Sequence, residues 1–213
     1  MTNPSLTLTV LFAVALVANL LTKLWLSTRQ VQHVAAHRAQ VPEAFAQTIS
    51  LPAHQKAADY TLAKSRVGLI DLGLDALTLL GWTLLGGLDL LNQITQNVLG
   101  SGMTQQVVLV VCFALIGGLI GLPLSLYQTF GIEQRFGFNN TTPGLWVSDL
   151  FKGLLVSLLL VLPILWLVLW LMEAGGNLWW LYAWCALVVY QLFVIWIAPN
   201  VIMPLFNKFT PLD

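Results

Sequence analysis

Five stretches of this chain are apolar for long enough to cross a hydrocarbon core, which takes about 20 helical residues. They are residues 6–26, 67–91, 107–127, 153–172 and 178–198. The third and fourth carry no charge, and the fifth is interrupted only by Gln191. The second contains Asp71, Asp75 and Asp89. Each run is continuously apolar, whereas strands of a membrane barrel alternate over about ten residues. The pattern therefore predicts an all-α, polytopic membrane protein with about five transmembrane helices.

A polar stretch, residues 27–66, separates the first two runs and is too long for a tight turn. Pro42 and Pro52 divide it into two helices. Ser50 is placed to cap a helix that has Pro52 in its first turn and runs on into the second span. Pro123 and Pro163 fall inside spans and predict local kinks. Gly117 and Gly121 form a small-xxx-small pair suited to close helix packing.

Composition agrees with lipid as the solvent: 58% of residues are hydrophobic and 8% charged, against about 25% charged in soluble domains. Nine basic and nine acidic residues cancel, which gives no ground for a nucleic-acid partner. Placement of the basic residues is more informative. Lys23, Arg29, Arg38, Lys56, Lys64 and Arg66 lie between the first two spans, Arg135 and Lys152 flank the loop between the third and fourth, and Lys208 follows the fifth. Loops 92–104 and 173–177 have none. Short cytoplasmic loops retain Lys and Arg, so the N-terminus is expected outside and the C-terminus in the cytoplasm. Trp25 and Trp146 then mark the inner interface, and Trp170, Trp179 and Trp180 the outer one. Residues 1–9 lack a basic residue, the reverse of a secretory signal, so the first run is expected to be retained. Cys112 and Cys185 sit in apolar runs and are expected as packing residues rather than a disulfide.

On a continuous helix at about 100° per residue, Asp71 and Asp89 share an azimuth, with Asp75 about 40° away and Tyr60, Lys64, Thr78 and Trp82 close to that line. Burying a charged residue in hydrocarbon costs at least about 2.5–3.5 kcal/mol on insertion scales, so the stripe should face water or other helices. It reads either as the wall of a water-filled cavity or ion path, or as helix-packing hydrogen bonds with an interfacial Asp89. His33 and His37 have a metal-ligand spacing. However, Val34 stands where a H-E-x-x-H zinc protease has its glutamate. With His54 as the one further histidine, solvated loop residues are expected, not a metal site. No nucleophile elbow, Walker loop or dinucleotide fingerprint occurs. Asn139 and Asn140 begin formal glycosylation sequons on the side expected to be cytoplasmic, so modification is not expected.

Three segments go beyond generic membrane sequence: K-A-A-D-Y-T-L-A-K at Lys56 to Lys64, F-G-I-E-Q-R-F-G-F-N-N-T-T at Phe130 to Thr142, and A-P-N-V-I-M-P-L-F-N-K-F-T-P-L at Ala198 to Leu212. Together they resemble the N-terminal membrane region of the type-1 CAAX prenyl proteases, integral-membrane zinc metalloendopeptidases that include the a-factor-converting enzyme. The resemblance implies a helical barrel around a water-filled chamber, lined here by Lys64, Asp71, Asp75 and Thr78. It also implies zinc in the intact protein, held by H-E-x-x-H and a later glutamate, and prenylated or membrane-protein substrates. None of those ligand positions has a match in this chain. A catalytically silent membrane domain is therefore expected, either because a metalloprotease domain follows Asp213 or because catalysis has been lost.

Glu133, Arg135, Asn139, Asp149, Pro204, Asn207 and Lys208 are the candidates for contact with that further domain. Interfacial anchoring, and capping by Ser148 and Asp149, is the alternative for the first four. A small channel subunit using the three aspartates, or a membrane scaffold, are the competing functions. With no organelle-targeting segment and a likeness to bacterial forms, a bacterial inner membrane is expected, or the endoplasmic reticulum in a eukaryote.

Overall fold

The computed structural model describes residues 4–206, all of whose regular elements are helical. The long helices are α1 (Pro4–His37), α2 (Leu51–Thr83), α3 (Gly87–Leu99), α4 (Met103–Leu126), α6 (Pro143–Ala174) and α7 (Trp179–Ile197), with short segments α5 (Gln134–Phe136) and α8 (Met203–Phe206). Among the described residues, four helical stretches are long and apolar enough to span a membrane, and the broken pair α2 and α3 meets the same test jointly.

The chain divides into two compact units. One comprises residues up to Leu90 together with Leu115–Asn140; the other comprises Leu91–Ala114 and the chain from Thr141. In the first unit α1 packs along α2, and α2 also meets the π-helical turn Tyr127–Glu133. In the second unit α6 packs along α7. Among the described residues the buried apolar side chains are only Ala58, Val67, Ile132, Phe136 and Ala183, while many large ones such as Leu85, Leu159 and Trp196 are exposed. In water this would be untenable. In a bilayer such side chains meet a solvent as apolar as themselves.

The helices outrun the apolar runs that announced them. α1 continues as helix to His37, and Pro42 and Pro52 do separate it from α2. Ser50 occupies the N-cap position with extended backbone (ψ 150°), but its side chain makes no cap hydrogen bond. α6 begins at Pro143, earlier than the apolar run, and Thr142 Oγ1 accepts from the Leu145 N–H at 3.3 Å. Capping therefore falls to Thr142 and not to Ser148 or Asp149. Gly117 and Gly121 face open space, so no helix among the described residues packs closely on that pair.

The second span is interrupted, contrary to the single continuous helix expected. α2 ends at Thr83, and Gly86 takes a left-handed φ of 76° before α3 starts at Gly87. Only glycine adopts that conformation without cost. Residues 92–99, expected as loop, are the remainder of α3. A small polar core forms there: Gln105 Nε2 donates to Asn92 Oδ1 at 2.9 Å and to Thr95 Oγ1 at 2.8 Å, and the Thr95 hydroxyl donates to the Asn92 carbonyl at 3.0 Å.

Candidate functional site

Lys56, Tyr60 and Lys64 recur every four residues along α2 and so share one helix face. A second segment arrives from the end of α4, where the π turn Tyr127–Glu133 leads into α5. Gly137 closes that turn with a left-handed φ of 78°, and the N–H groups of Phe138 and Asn139 both donate to the Glu133 carbonyl, at 2.8 and 3.2 Å. The reversal delivers two phenyl rings to Tyr60. Phe136 meets it edge-on with centroids 5.5 Å apart, and Phe138 does so at 4.9 Å.

Phe136 also joins Val67 and Ile132 in the buried apolar cluster of this unit, with Tyr60, Ala63 and Leu124 against it. Over the three rings lie three cations. Lys56 Nζ sits 5.6 Å from the Phe138 centroid, Lys64 Nζ 5.7 Å from Tyr60, and the Arg135 guanidinium 5.7 Å from Phe136. These are cation–π distances. Two segments that stand far apart in sequence thus form one aromatic triad carrying three positive charges.

The same stretch of α2 is clamped to α1. Arg38 donates two hydrogen bonds to Asp59, and its fork matches the carboxylate. The hydrogen bond from Arg38 holds the Asp59 carboxyl below its ordinary value against a smaller opposing effect of desolvation; the charges of Arg38 and Arg135 also favour the carboxylate. Nearby, His54 Nε2 donates to the His37 carbonyl at 3.0 Å, and His37 Nδ1 to the His33 carbonyl at 2.8 Å.

The His33 and His37 rings lie 4.2 Å apart, and His37 and His54 each donate one ring N–H to a backbone carbonyl. No three His, Cys, Asp or Glu side chains converge as a ligand set among the described residues.

Of the aspartate stripe, Asp71, Asp75 and Thr78 remain on α2, with Asp75 exposed and the other two half-buried. Asp89 does not belong to it. It lies in the first turn of α3, beyond the break at Gly86, so the shared azimuth calculated for an unbroken helix is lost. Glu133 and Asn139 are half-buried and Arg135 exposed, all around the Gly137 turn. In the other unit Asp149 pairs with Lys152 at 3.3 Å, and Lys152 Nζ also donates to the Leu205 carbonyl at 3.4 Å, next to Pro204. Asn207 and Lys208 lie outside the described residues.

The family described as CAAX prenyl protease N-terminal, five membrane helices, matches residues 30–208. This chain belongs to that family. The probable CAAX prenyl protease 1 of Schizosaccharomyces pombe is 33% identical over 204 residues, 89% of this chain and 42% of that protein. The human CAAX prenyl protease 1 homolog is 40% identical over 110 residues, 52% of this chain and 23% of the relative. The crystal structure of S. mikatae Ste24p superposes with a TM-score of 0.84 at 27% identity, over 93% of this chain and 47% of that one. The chain thus spans less than half the length of these relatives.

In this CAAX prenyl protease N-terminal region, two groups of residues escaped sequence reasoning. Arg38 and Asp59 were separable only as members of a basic stretch, although a Pro-punctuated pair of helices is a signal that charges on opposite arms can meet. Asn92 and Thr95 fell in a presumed loop and Gln105 just after it, so nothing brought the three together.

Proposed function

We propose that this chain builds the membrane vessel of a zinc-dependent endopeptidase and does not cleave peptides by itself. The observation that carries the reading is the meeting of the Lys56–Lys64 face with Phe136 and Phe138, inside a chain whose family match covers residues 30–208. Two of the three signature segments thus brace the first unit. Asp71, Asp75 and Thr78 would line the water-filled interior, with Lys64 at its rim. A carboxylate within a span is stable when it faces water or a partner, and neither aspartate has a hydrogen-bond partner among the described residues. That supports a wetted wall over hydrogen-bonded packing.

The zinc, its ligands and the protein-derived base belong, in this reading, to further polypeptide. Glu133, Arg135 and Asn139 of the first unit, and Asp149, Pro204, Asn207 and Lys208 of the chain from Thr141, are the residues that would contact that domain. Prenylated C-terminal tails or membrane proteins are the substrate class, by analogy with the relatives' names. The distribution of Lys and Arg supports a cytoplasmic C-terminus. It holds equally for a bacterial inner membrane or an endoplasmic reticulum, since both keep basic loops on the cytoplasmic side.

The test uses the natural full-length protein, a prenylated C-terminal peptide and a metal determination. Asp71→Asn with Asp75→Asn is expected to lower cleavage by about tenfold or more while bound zinc is unchanged. Undiminished cleavage would remove the chamber-lining role. Cleavage by residues 1–213 alone would overturn the division of labour.

A further inference from the structure

We propose that the aromatic triad and its three cations form a binding site for the phosphate of an anionic phospholipid headgroup. Lys56, Lys64 and Arg135 each rest on a different ring of Tyr60, Phe136 and Phe138, and both phenyl rings meet Tyr60. All three cationic residues are exposed. No carboxylate lies within ion-pair distance of any of the three among the described residues. Asp59 pairs with Arg38 and acts on Arg135 only from beyond ion-pair distance, and Glu133 forms no ion pair there. Three like charges gathered on one surface repel each other, so a bound anion stabilises the arrangement.

Location decides which anion. Val67, where the apolar run of α2 begins, shares the buried cluster with Phe136, and Arg66 precedes it. Tyr127, where the apolar run of α4 ends, opens the turn that carries Arg135. Lys64 therefore stands within one turn of the boundary between apolar and polar sequence, with Lys56 two turns further out on the same helix face and Arg135 on the segment that follows α4. On α1 the Arg29 guanidinium stacks 5.0 Å from Trp25, an interfacial pairing just past the first apolar run. Basic clusters at this depth attract anionic lipid, and basic pockets between helices bind phosphate headgroups. The site shares Lys64 and Arg135 with the roles proposed above, at the chamber rim and toward the further domain, and because lipid retention is measured without cleavage the two readings fail separately.

Native mass spectrometry of the full-length protein, taken from vesicles of equal phosphatidylglycerol and phosphatidylcholine, tests it. Wild type is expected to retain phosphatidylglycerol preferentially. K56Q/K64Q/R135Q should bring the ratio near unity, at about fivefold lost per cation, whereas K56R/K64R/R135K and Lys152→Gln keep the preference. If the triple glutamine variant does not fold, Lys56→Gln alone decides, with a drop of about fivefold expected. An unchanged ratio in the glutamine variants, or no preference in wild type, overturns the site. Release of the lipid by millimolar inorganic phosphate overturns the commitment to a lipid in favour of a soluble anion. Equal competition by an acidic peptide does so in favour of a protein partner.

Discussion

Arg38 holds Asp59 through two parallel hydrogen bonds, Nε to Oδ1 at 2.7 Å and Nη2 to Oδ2 at 2.8 Å. The bond from Arg38 depresses the Asp59 carboxyl below its usual range. A carboxyl with a lowered folded-state value contributes stability above its unfolded value, about 3.9, and loses that contribution as pH falls through the folded value. Asp59→Asn is therefore expected to lower the unfolding midpoint in detergent between neutral pH and about pH 5. The gap from wild type should close as the pH falls below about 4. Arg38→Lys keeps the charge but not the fork, so it should fall between the two. Thermal scans across pH check this; a gap that persists in acid would mean the pair is not what couples α1 to α2.

Gly137 is the reversal that brings Phe136 and Phe138 to Tyr60. Its φ of 78° costs an L side chain about 1–2 kcal/mol. An added Cβ would lie 3.8 Å from Lys56 Nζ, an ordinary contact, so the penalty is a backbone one. Gly137→Ala is expected to destabilise by about that amount and Gly137→Asn by less, because asparagine tolerates the left-handed region. Equal loss in both variants, measured by denaturant or thermal unfolding, would count against the backbone account.

Gln105 is only 5% exposed, and its amide supplies both Asn92 and Thr95. Gln105→Leu fills the space but leaves two acceptors without their donor. The expected cost is about 1–3 kcal/mol. Adding Thr95→Val should recover part of it, because removing both partners of a buried hydrogen bond is cheaper than removing one. A double-mutant cycle on unfolding free energy reads the coupling, and additivity would show that the polar core is wet.

Tyr190 on α7 donates its hydroxyl to the Leu160 carbonyl of α6 at 3.1 Å. The bond is made near Pro163, which has no N–H to give to the Leu159 carbonyl one turn earlier. An apolar groove of about 530 Å³ opens beside it, lined by Pro163, Leu167, Cys185, Val189 and Phe193. Hydrogen bonds between membrane helices are worth about 0.6 kcal/mol on average, so Tyr190→Phe should cost about that much. A loss several times larger, in a steric-trap or denaturant measurement, would mean that the hydroxyl also organises the proline region.

Solvent chemistry made most of the secondary structure readable. An uncharged run such as residues 153–172 can satisfy its backbone in lipid only as a helix, so α6 and α7 follow from composition alone. Pro42 and Pro52 marked the boundary between α1 and α2, because proline ends one helix and suits the first turn of the next. The break at Gly86 was not readable. Apolar residues continue through it, and periodicity carries no sign that a glycine has taken a left-handed φ. That one torsion removed Asp89 from the stripe of Asp71 and Asp75.

The sequence by itself determined that the chain is helical, lives in lipid and carries two aromatic and basic segments, since hydropathy and charge placement are local properties read against a uniform solvent. Only the tertiary structure decided that Lys56, Tyr60 and Lys64 meet Phe136, Phe138 and Arg135. Which residues face each other depends on where helices stop and how they turn. A few backbone angles at Gly86 and Gly137 set that, with no mark in the average polarity of the chain.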